Sequence, residues 1–447
     1  MAALSDLVNA CMNDEKWTCC RNWIVTIVLQ FVWCKAGCSK DKVARLAFQP
    51  PPTSYRVNLV GDRDDGDAMA ADGRIAGGAR GSGTGGGGRL AKWRLQFERS
   101  DLAQHCAMEG IRPEVRRATT SLEGDVPVFI VRSSKPHAPH APPRLWLLYS
   151  HGNAVDCGEM LPFWRMLADS LDVNICGYEY VGYGDSKSPL PPPAKRAVVP
   201  ADEPENLDAS PPQSRQPNEA DTYADIEAVY ALLTGPPPVG LGVPPEHIIV
   251  YGQSVGSGPS CHVASNPSTM PIGALLLHAP LMSGIRVIIP TNEGVVDAKG
   301  CCVNPPPEFP FICWGAGPCH PSNALCCCDI YKNVEKVRLF KAPFGVMHGT
   351  EDEVIRVSHA HALIQRCPEQ YRLQPFIVEG AGHNDIAELD PRGYIGYINS
   401  VMLAVRRNAS EKARRDAEKA AALAEHAAAS GLGSSATLMP DGERGGE

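Results

Sequence analysis

The stretch from Ile248 to Gly258, Ile-Ile-Val-Tyr-Gly-Gln-Ser-Val-Gly-Ser-Gly, constrains this chain more than any other. A short β-branched run meets Gly-x-Ser-x-Gly, and a helix-compatible segment follows. Such a pattern carries a serine on a tight strand-to-helix turn, with its hydroxyl held clear of a sheet. The turn crowds the backbone on both sides of the serine, so β-carbons at Gly252 and Gly256 would strike neighbouring chain. The following helix aims its first backbone N–H groups at the place where an oxyanion would form. In a chain with 42 glycines the pattern is weak by itself. The strand before it and the helix after it give it weight.

The rest of the composition sets outer limits. The formal charge of -8 argues against a nucleic-acid binder, which needs a basic surface to neutralise phosphate. Together, 42 Gly and 40 Pro signal low-complexity inserts rather than an unusual core. No cleavable secretory signal is evident, because Asp14, Glu15 and Lys16 precede the first apolar run, so the 17 cysteines read as mostly free thiols in a reducing compartment. That run, framed by Trp23 and Trp33, holds about a dozen residues where a bilayer span takes about 20. It suits the membrane interface, with tryptophans at headgroup depth and Lys35, Lys40, Lys42 and Arg45 beside anionic lipid. Cys11, Cys19, Cys20, Cys34 and Cys38 flank it as candidate S-acylation sites.

Residues 1–57 therefore read as a membrane-anchoring segment ending in an exposed Pro-rich connector from Val43 to Val57. Residues 58–92 form a Gly/Asp/Arg tract that cannot bury enough surface to order itself. Over 93–405, strands alternate with helical segments: Val126 to Val131, Leu145 to Tyr149, Val173 to Tyr178, a helix over Ala224 to Leu233, then Ile248 to Tyr251, Ala274 to Leu277, Phe344 to Met347 and Phe376 to Val378. That order predicts a mostly parallel sheet flanked by crossover helices. Insertions interrupt it near 188–218 and 292–323, and a charged helix and tail occupy 406–447. Cys301, Cys302, Cys313, Cys319, His320 and Cys326 to Cys328 crowd the region of the second insertion, but no C-x2-C pair recurs at zinc-finger spacing, so no metal site is assigned there.

A serine hydroxyl needs a base within hydrogen-bond reach and a carboxylate to orient that base. In folds built on this turn the order is Ser, Asp, His. Asp352 follows an apolar strand in His348-Gly-Thr-Glu-Asp-Glu-Val, and His383 follows the next in Gly380-Ala-Gly-His-Asn-Asp. Glu351 and Glu353 compete with Asp352 within one residue of register. His348, His359 and His361 lie nearby but precede the final strand. The loop Ser150-His151-Gly152-Asn153-Ala154-Val155 lets backbone approach the serine, so the N–H of Asn153 or Ala154, paired with that of Val255, is the expected oxyanion hole. His151 is expected to bond loop backbone. Leu281 and Met282 are candidates to line an acyl groove, with a core role equally open.

Seven blocks carry a family resemblance: Tyr149-Ser-His-Gly-Asn-Ala-Val-Asp156, Gly182-Tyr-Gly184, Tyr223-Ala-Asp-Ile226, Tyr251-Gly-Gln-Ser-Val-Gly256, His278-Ala-Pro-Leu-Met-Ser-Gly284, His348-Gly-Thr-Glu-Asp-Glu-Val-Ile355 and Glu379-Gly-Ala-Gly-His-Asn-Asp385. With Leu46-Ala-Phe-Gln-Pro-Pro51 they resemble the α/β-hydrolase domain-containing protein 17 family. The resemblance implies an α/β-hydrolase fold and a membrane-attached serine hydrolase that removes palmitate from protein cysteines. It implies Ser254 as nucleophile, Asp352 as acid, His383 as base, no cofactor, S-acylated N-terminal cysteines, and S-palmitoylated proteins as substrates at the cytoplasmic face of a plasma or endosomal membrane. The Trp23 to Trp33 run, the Gly-rich tract, both insertions and the C-terminal helix depart from that family's pattern. A carboxylesterase or lipid hydrolase with the same triad, and a non-catalytic membrane adaptor, are the rival readings.

Overall fold

The computed structural model describes residues 44–45, 47–60, 74–76, 92–188, 215–288 and 329–429. The apolar run with its five flanking cysteines, most of both insertions and the tail beyond 429 lie outside these residues.

The chain order is β1 (Tyr55–Leu59), β2 (Arg74–Ala76), β3 (Trp93–Phe97), α1 (Ser100–Met108), β4 (Glu114–Thr119), β5 (Asp125–Val131), β6 (Trp146–Ser150), α2 (Cys157–Leu171), β7 (Asn174–Tyr178), α3 (Glu219–Thr234), β8 (Ile248–Gln253), α4 (Ser257–Ala264), β9 (Ala274–His278), α5 (Gly284–Ile288), α6 (Asn333–Lys336), β10 (Phe344–Gly349), α7 (Ser358–Arg366), β11 (Phe376–Val378), α8 (Ile386–Leu389) and α9 (Pro391–Ala429). Eight strands form one sheet in the order β11-β10-β9-β8-β6-β7-β5-β4. Pairing is parallel from β7 through β11, and antiparallel only where β5 meets β7 and β4 meets β5. This is the mostly parallel sheet expected from the alternation, in the α/β-hydrolase architecture that the resemblance implies.

The strands are apolar on both faces because both faces are covered. Ile248, Val250, Leu275 and Leu277 enter one core layer, while Ile249, Tyr251, Ala274 and Leu276 enter the other. Close packing is enforced at Gly177, where a β-carbon would overlap the Trp164 ring from α2. After β6 the chain crosses to β7 on one side and to β8 on the other. The carboxyl ends of β6 and β8 thus flank a topological switch point, where a crevice opens in sheets of this kind.

Two expectations are corrected. The described residues of the Val43 to Val57 segment, 44–45 and 47–57, are no exposed connector, and the folded body does not begin near Trp93. Phe48, Ser54 and Tyr55 are fully buried, and β1 pairs antiparallel with β3. Three prolines at 50–52 exclude a helix but permit extended chain. Phe48 then packs edge-on against Tyr331 with ring centroids 6.0 Å apart, and Tyr55 against Phe129 at 5.1 Å. Within the Gly-rich tract, Arg74–Ala76 forms a short strand on β3. The C-terminal helix starts at Pro391 and runs unbroken through residue 406, but its buried stripe of Tyr394, Ile398, Val401, Met402 and Val405 ends at Val405. From Arg407 onward its described side chains are almost all exposed.

Candidate active site

Ser254 sits directly after β8 with a φ of 52°, a left-handed conformation costly for a residue bearing a β-carbon. The surroundings hold it there. A β-carbon at Gly252 would lie 2.6 Å from Ser260 Oγ and 2.7 Å from the Gly256 carbonyl, and one at Gly256 would overlap the carbonyl oxygens of Ser150 and His151. The two glycines let β8, the turn and the end of β6 press together, which pushes the serine side chain out over the sheet edge.

Asp352 and His383 arrive from the loops after β10 and β11. His383 Nε2 is 3.0 Å from Ser254 Oγ, and its Nδ1 is 2.7 Å from Asp352 Oδ2. All three residues are buried. Of the three acidic residues at 351–353, only Asp352 is buried and meets His383, while Glu351 and Glu353 face solvent. Asp352 Oδ1 accepts the backbone N–H groups of Val354 at 2.9 Å and Ile355 at 2.7 Å. Burial raises its pKa, but hydrogen bonds from His348 and His383, with the His383 charge, outweigh burial and hold the carboxyl well below the usual carboxylate range. It is a fixed anion beneath the imidazole.

His348 was a competitor in the sequence and turns out to be a partner. Its Nε2 lies 2.7 Å from the Ile355 carbonyl and 3.1 Å from Asp352 Oδ2. His359 accepts the Met282 N–H on Nδ1 at 3.0 Å, and burial lowers its pKa to about 3, so it is a neutral strut.

The loop after β6 behaves as a built wall. Asn153 Oδ1 accepts the Gln49 N–H at 2.9 Å and the Tyr183 hydroxyl at 2.6 Å, which fixes its side chain against the N-terminal segment and the loop after β7. Asn153 and Val255 both border the cavity at Ser254, whereas Ala154, at φ 58° and exposed, does not. His151 Nδ1 bonds the Gly152 carbonyl at 2.8 Å as expected, while its Nε2 faces Glu179 Oε2 at 3.3 Å, both fully buried. Sequence reasoning gave no role to Glu179, Gln49, Tyr183 or His278. Gln49, Tyr183 and His278 stood only inside blocks of family resemblance, while Glu179, a carboxylate ending an apolar strand, carried a signal of its own.

Glu179, His151 and Cys157 bring potential ligand atoms within 4.8 Å of one another. Glu179 Oε1 already accepts the Tyr55 hydroxyl at 2.7 Å and the Cys157 N–H at 2.6 Å, and burial, with Glu179 beside it, pushes the Cys157 thiol well up. The group is a buried polar cluster whose hydrogen bonds tie β1, β7 and the start of α2 together.

The cavity over Ser254 has a volume of about 670 Å³, within the range of ligand pockets. Met160, Phe163, Leu281, Val287, Ile330 and Tyr331 give it largely apolar walls. Leu281 thus lines the groove, while Met282 is buried in the core. No helix among the described residues is long and apolar enough to cross a membrane.

No family model matches the chain. It is 31% identical over 356 residues to α/β-hydrolase domain-containing protein 17B of Homo sapiens, covering 79% of this chain and 89% of that protein. It is 32% identical over 358 residues to protein 17C of Mus musculus, covering 80% and 89%. Among solved structures, an esterase of Pyrococcus furiosus superposes with a TM-score of 0.42 at 12% identity, covering 68% of this chain and 95% of the esterase. Identity above 30% across nearly the whole length of these curated relatives, on a fold of this topology, makes the chain a hydrolase of the α/β-hydrolase superfamily and a member of the α/β-hydrolase domain-containing protein 17 family.

Proposed function

We propose that the chain is a serine hydrolase that cleaves palmitoyl thioesters from S-acylated protein cysteines. The observation carrying the reading is the hydrogen-bonded series Ser254, His383, Asp352 opening into an apolar cavity. The family resemblance supplies the substrate class, and the apolar walls suit an acyl chain. Ser254 Oγ attacks the thioester carbonyl while His383 Nε2 takes its proton. The N–H groups of Val255 and Asn153 receive the tetrahedral oxyanion. Collapse breaks the C–S bond; the cysteine thiolate leaves and takes the proton from His383. Water, deprotonated by His383, then attacks the acyl-Ser254 ester, and the carboxylic acid departs as Ser254 regains its proton. Asp352 keeps the Nδ1–H tautomer and stabilises the imidazolium. A thiolate is a good leaving group, so no cofactor is required.

The test is release of palmitate from a thioester-linked lipopeptide beside an oxygen ester of matched chain length, for wild type and Ser254→Ala. The expected result is preference for the thioester and a loss of at least about 10⁴-fold in kcat for the variant. Cleavage of the oxygen ester alone would replace the proposal with a carboxylesterase or lipid hydrolase. Cleavage of neither by folded protein would favour the adaptor reading.

A further inference from the structure

The cavity mouth carries an apolar rim that the chemistry at Ser254 does not use. Met166 on α2 is 43% exposed, Ile288 at the end of α5 is 49%, Val354 in the loop after β10 is 51%, and Leu389 at the end of α8 is 56%. The first three border the cavity, and Leu389 adjoins Ala387 and Glu388, which also do. None of the other exposed large apolar residues on the described surface borders it. Four such side chains from four separate elements around one opening form a patch rather than a scatter.

The chain itself indicates what covers this patch. Ala47 and Gln49 line the same cavity, so the N-terminal segment enters the fold beside it. The apolar run ending at Trp33 is 11 residues from Ala44 (44 minus 33), a reach of at most about 40 Å in any conformation. A domain of this size is about 50 Å across, so an anchor on that tether brings the mouth, not the far side, to the surface it holds. Charge points to the same kind of surface. The loop after β10, α8 and the start of α9 expose Glu351, Glu353 and Glu388 beside Arg356 and Arg392, a mixed set with no strong charge of either sign, which leaves apolar insertion as the attraction.

We propose that Met166, Ile288, Val354 and Leu389 dock on a lipid bilayer, opening the Ser254 cavity to the interface from which an acyl chain enters. The use of the docked state rests on the thioesterase reading; the docking itself does not. The test employs the full chain with unacylated cysteines and neutral phosphatidylcholine vesicles. Flotation and amide hydrogen exchange are read for wild type, for the double variant Met166→Glu with Leu389→Glu, and for Leu423→Glu on the distal, exposed part of α9. Vesicles should slow exchange around Met166 and Leu389 in wild type. The double variant should lose that protection and bind on the order of tenfold less, with Leu423→Glu unchanged. Leu389→Glu alone should hydrolyse a soluble short-chain ester at the wild-type rate, showing the site intact. Unchanged exchange at the rim, even if the chain floats through its N-terminal run, would overturn the proposal. So would a change of mass by light scattering in the rim variant, which would mean that a second copy covers the patch. Because neither readout needs turnover, failure to cleave a thioester would sink the function and leave the docking result standing.

Discussion

Asp352→Asn is the substitution whose outcome the geometry fixes most closely. The new side chain is nearly isosteric, so the fold should persist; what changes is which atom faces the histidine. Oδ1 accepts two backbone N–H groups, from Val354 at 2.9 Å and Ile355 at 2.7 Å, and an amide nitrogen cannot replace an oxygen there. The asparagine must keep its carbonyl at Oδ1 and place its NH₂ where Oδ2 stood, 2.7 Å from His383 Nδ1. That donor forces His383 to accept on Nδ1 and carry its proton on Nε2. Nε2 then cannot take the proton of Ser254, 3.0 Å away, and the anion that would stabilise the imidazolium is gone. Comparable triads lose about 10⁴ in kcat on this change, about 5 kcal/mol of transition-state stabilisation. The assay is kcat on a soluble ester with circular dichroism as the folding control, alongside Glu351→Gln and Glu353→Gln, which should stay within about twofold because both side chains face solvent. A folded Asp352→Asn enzyme within tenfold of wild type would refute the tautomer argument and return the acid role to its neighbours.

Two further outcomes follow from the same packing. Gly256→Ala puts a β-carbon against backbone carbonyls of Ser150 and His151, which cannot rotate away; it should cost at least about 1–3 kcal/mol in denaturant unfolding and lower kcat more than tenfold, and a neutral result would show the turn to be looser than it stands. Asp156, buried at the start of α2, has its pKa pushed from 3.8 up to about 6, chiefly by burial and secondly by Glu179, despite hydrogen bonds from Ser54. A raised folded pKa favours the protonated form, so its contribution is full below about pH 4 and lost as pH rises through 6. Stability of wild type relative to Asp156→Asn should therefore fall by up to about 3 kcal/mol between pH 4 and 7, and a difference that is flat with pH would contradict the assignment.

The features legible along the chain are local and periodic. The β-branched run before Gly252, the two glycines around Ser254 and the alternation of apolar runs with helical segments each act within a few residues, and together they place a serine at the carboxyl edge of a parallel sheet. The positions of Asp352 and His383 after successive strands followed from the same order. The seven strands expected, β5 to β11, lie within two residues of their expected limits, because strands covered on both faces are apolar without interruption, whereas β1 to β4 were not anticipated. Tertiary structure decided the contacts that span the chain. Phe48 and Tyr55 lie in a proline-rich stretch with no periodicity, yet they are buried because Tyr331 and Phe129 complete their surroundings from far along the sequence. His348 became a second support for Asp352, and Glu179 a buried neighbour of His151, for a similar reason: a polar group in a core is acceptable only where folding brings its partners within reach, and no local pattern encodes that meeting. The apolar rim belongs to this class as well. Met166, Ile288, Val354 and Leu389 are ordinary residues on four separate elements, and only the fold gathers them around the opening above Ser254.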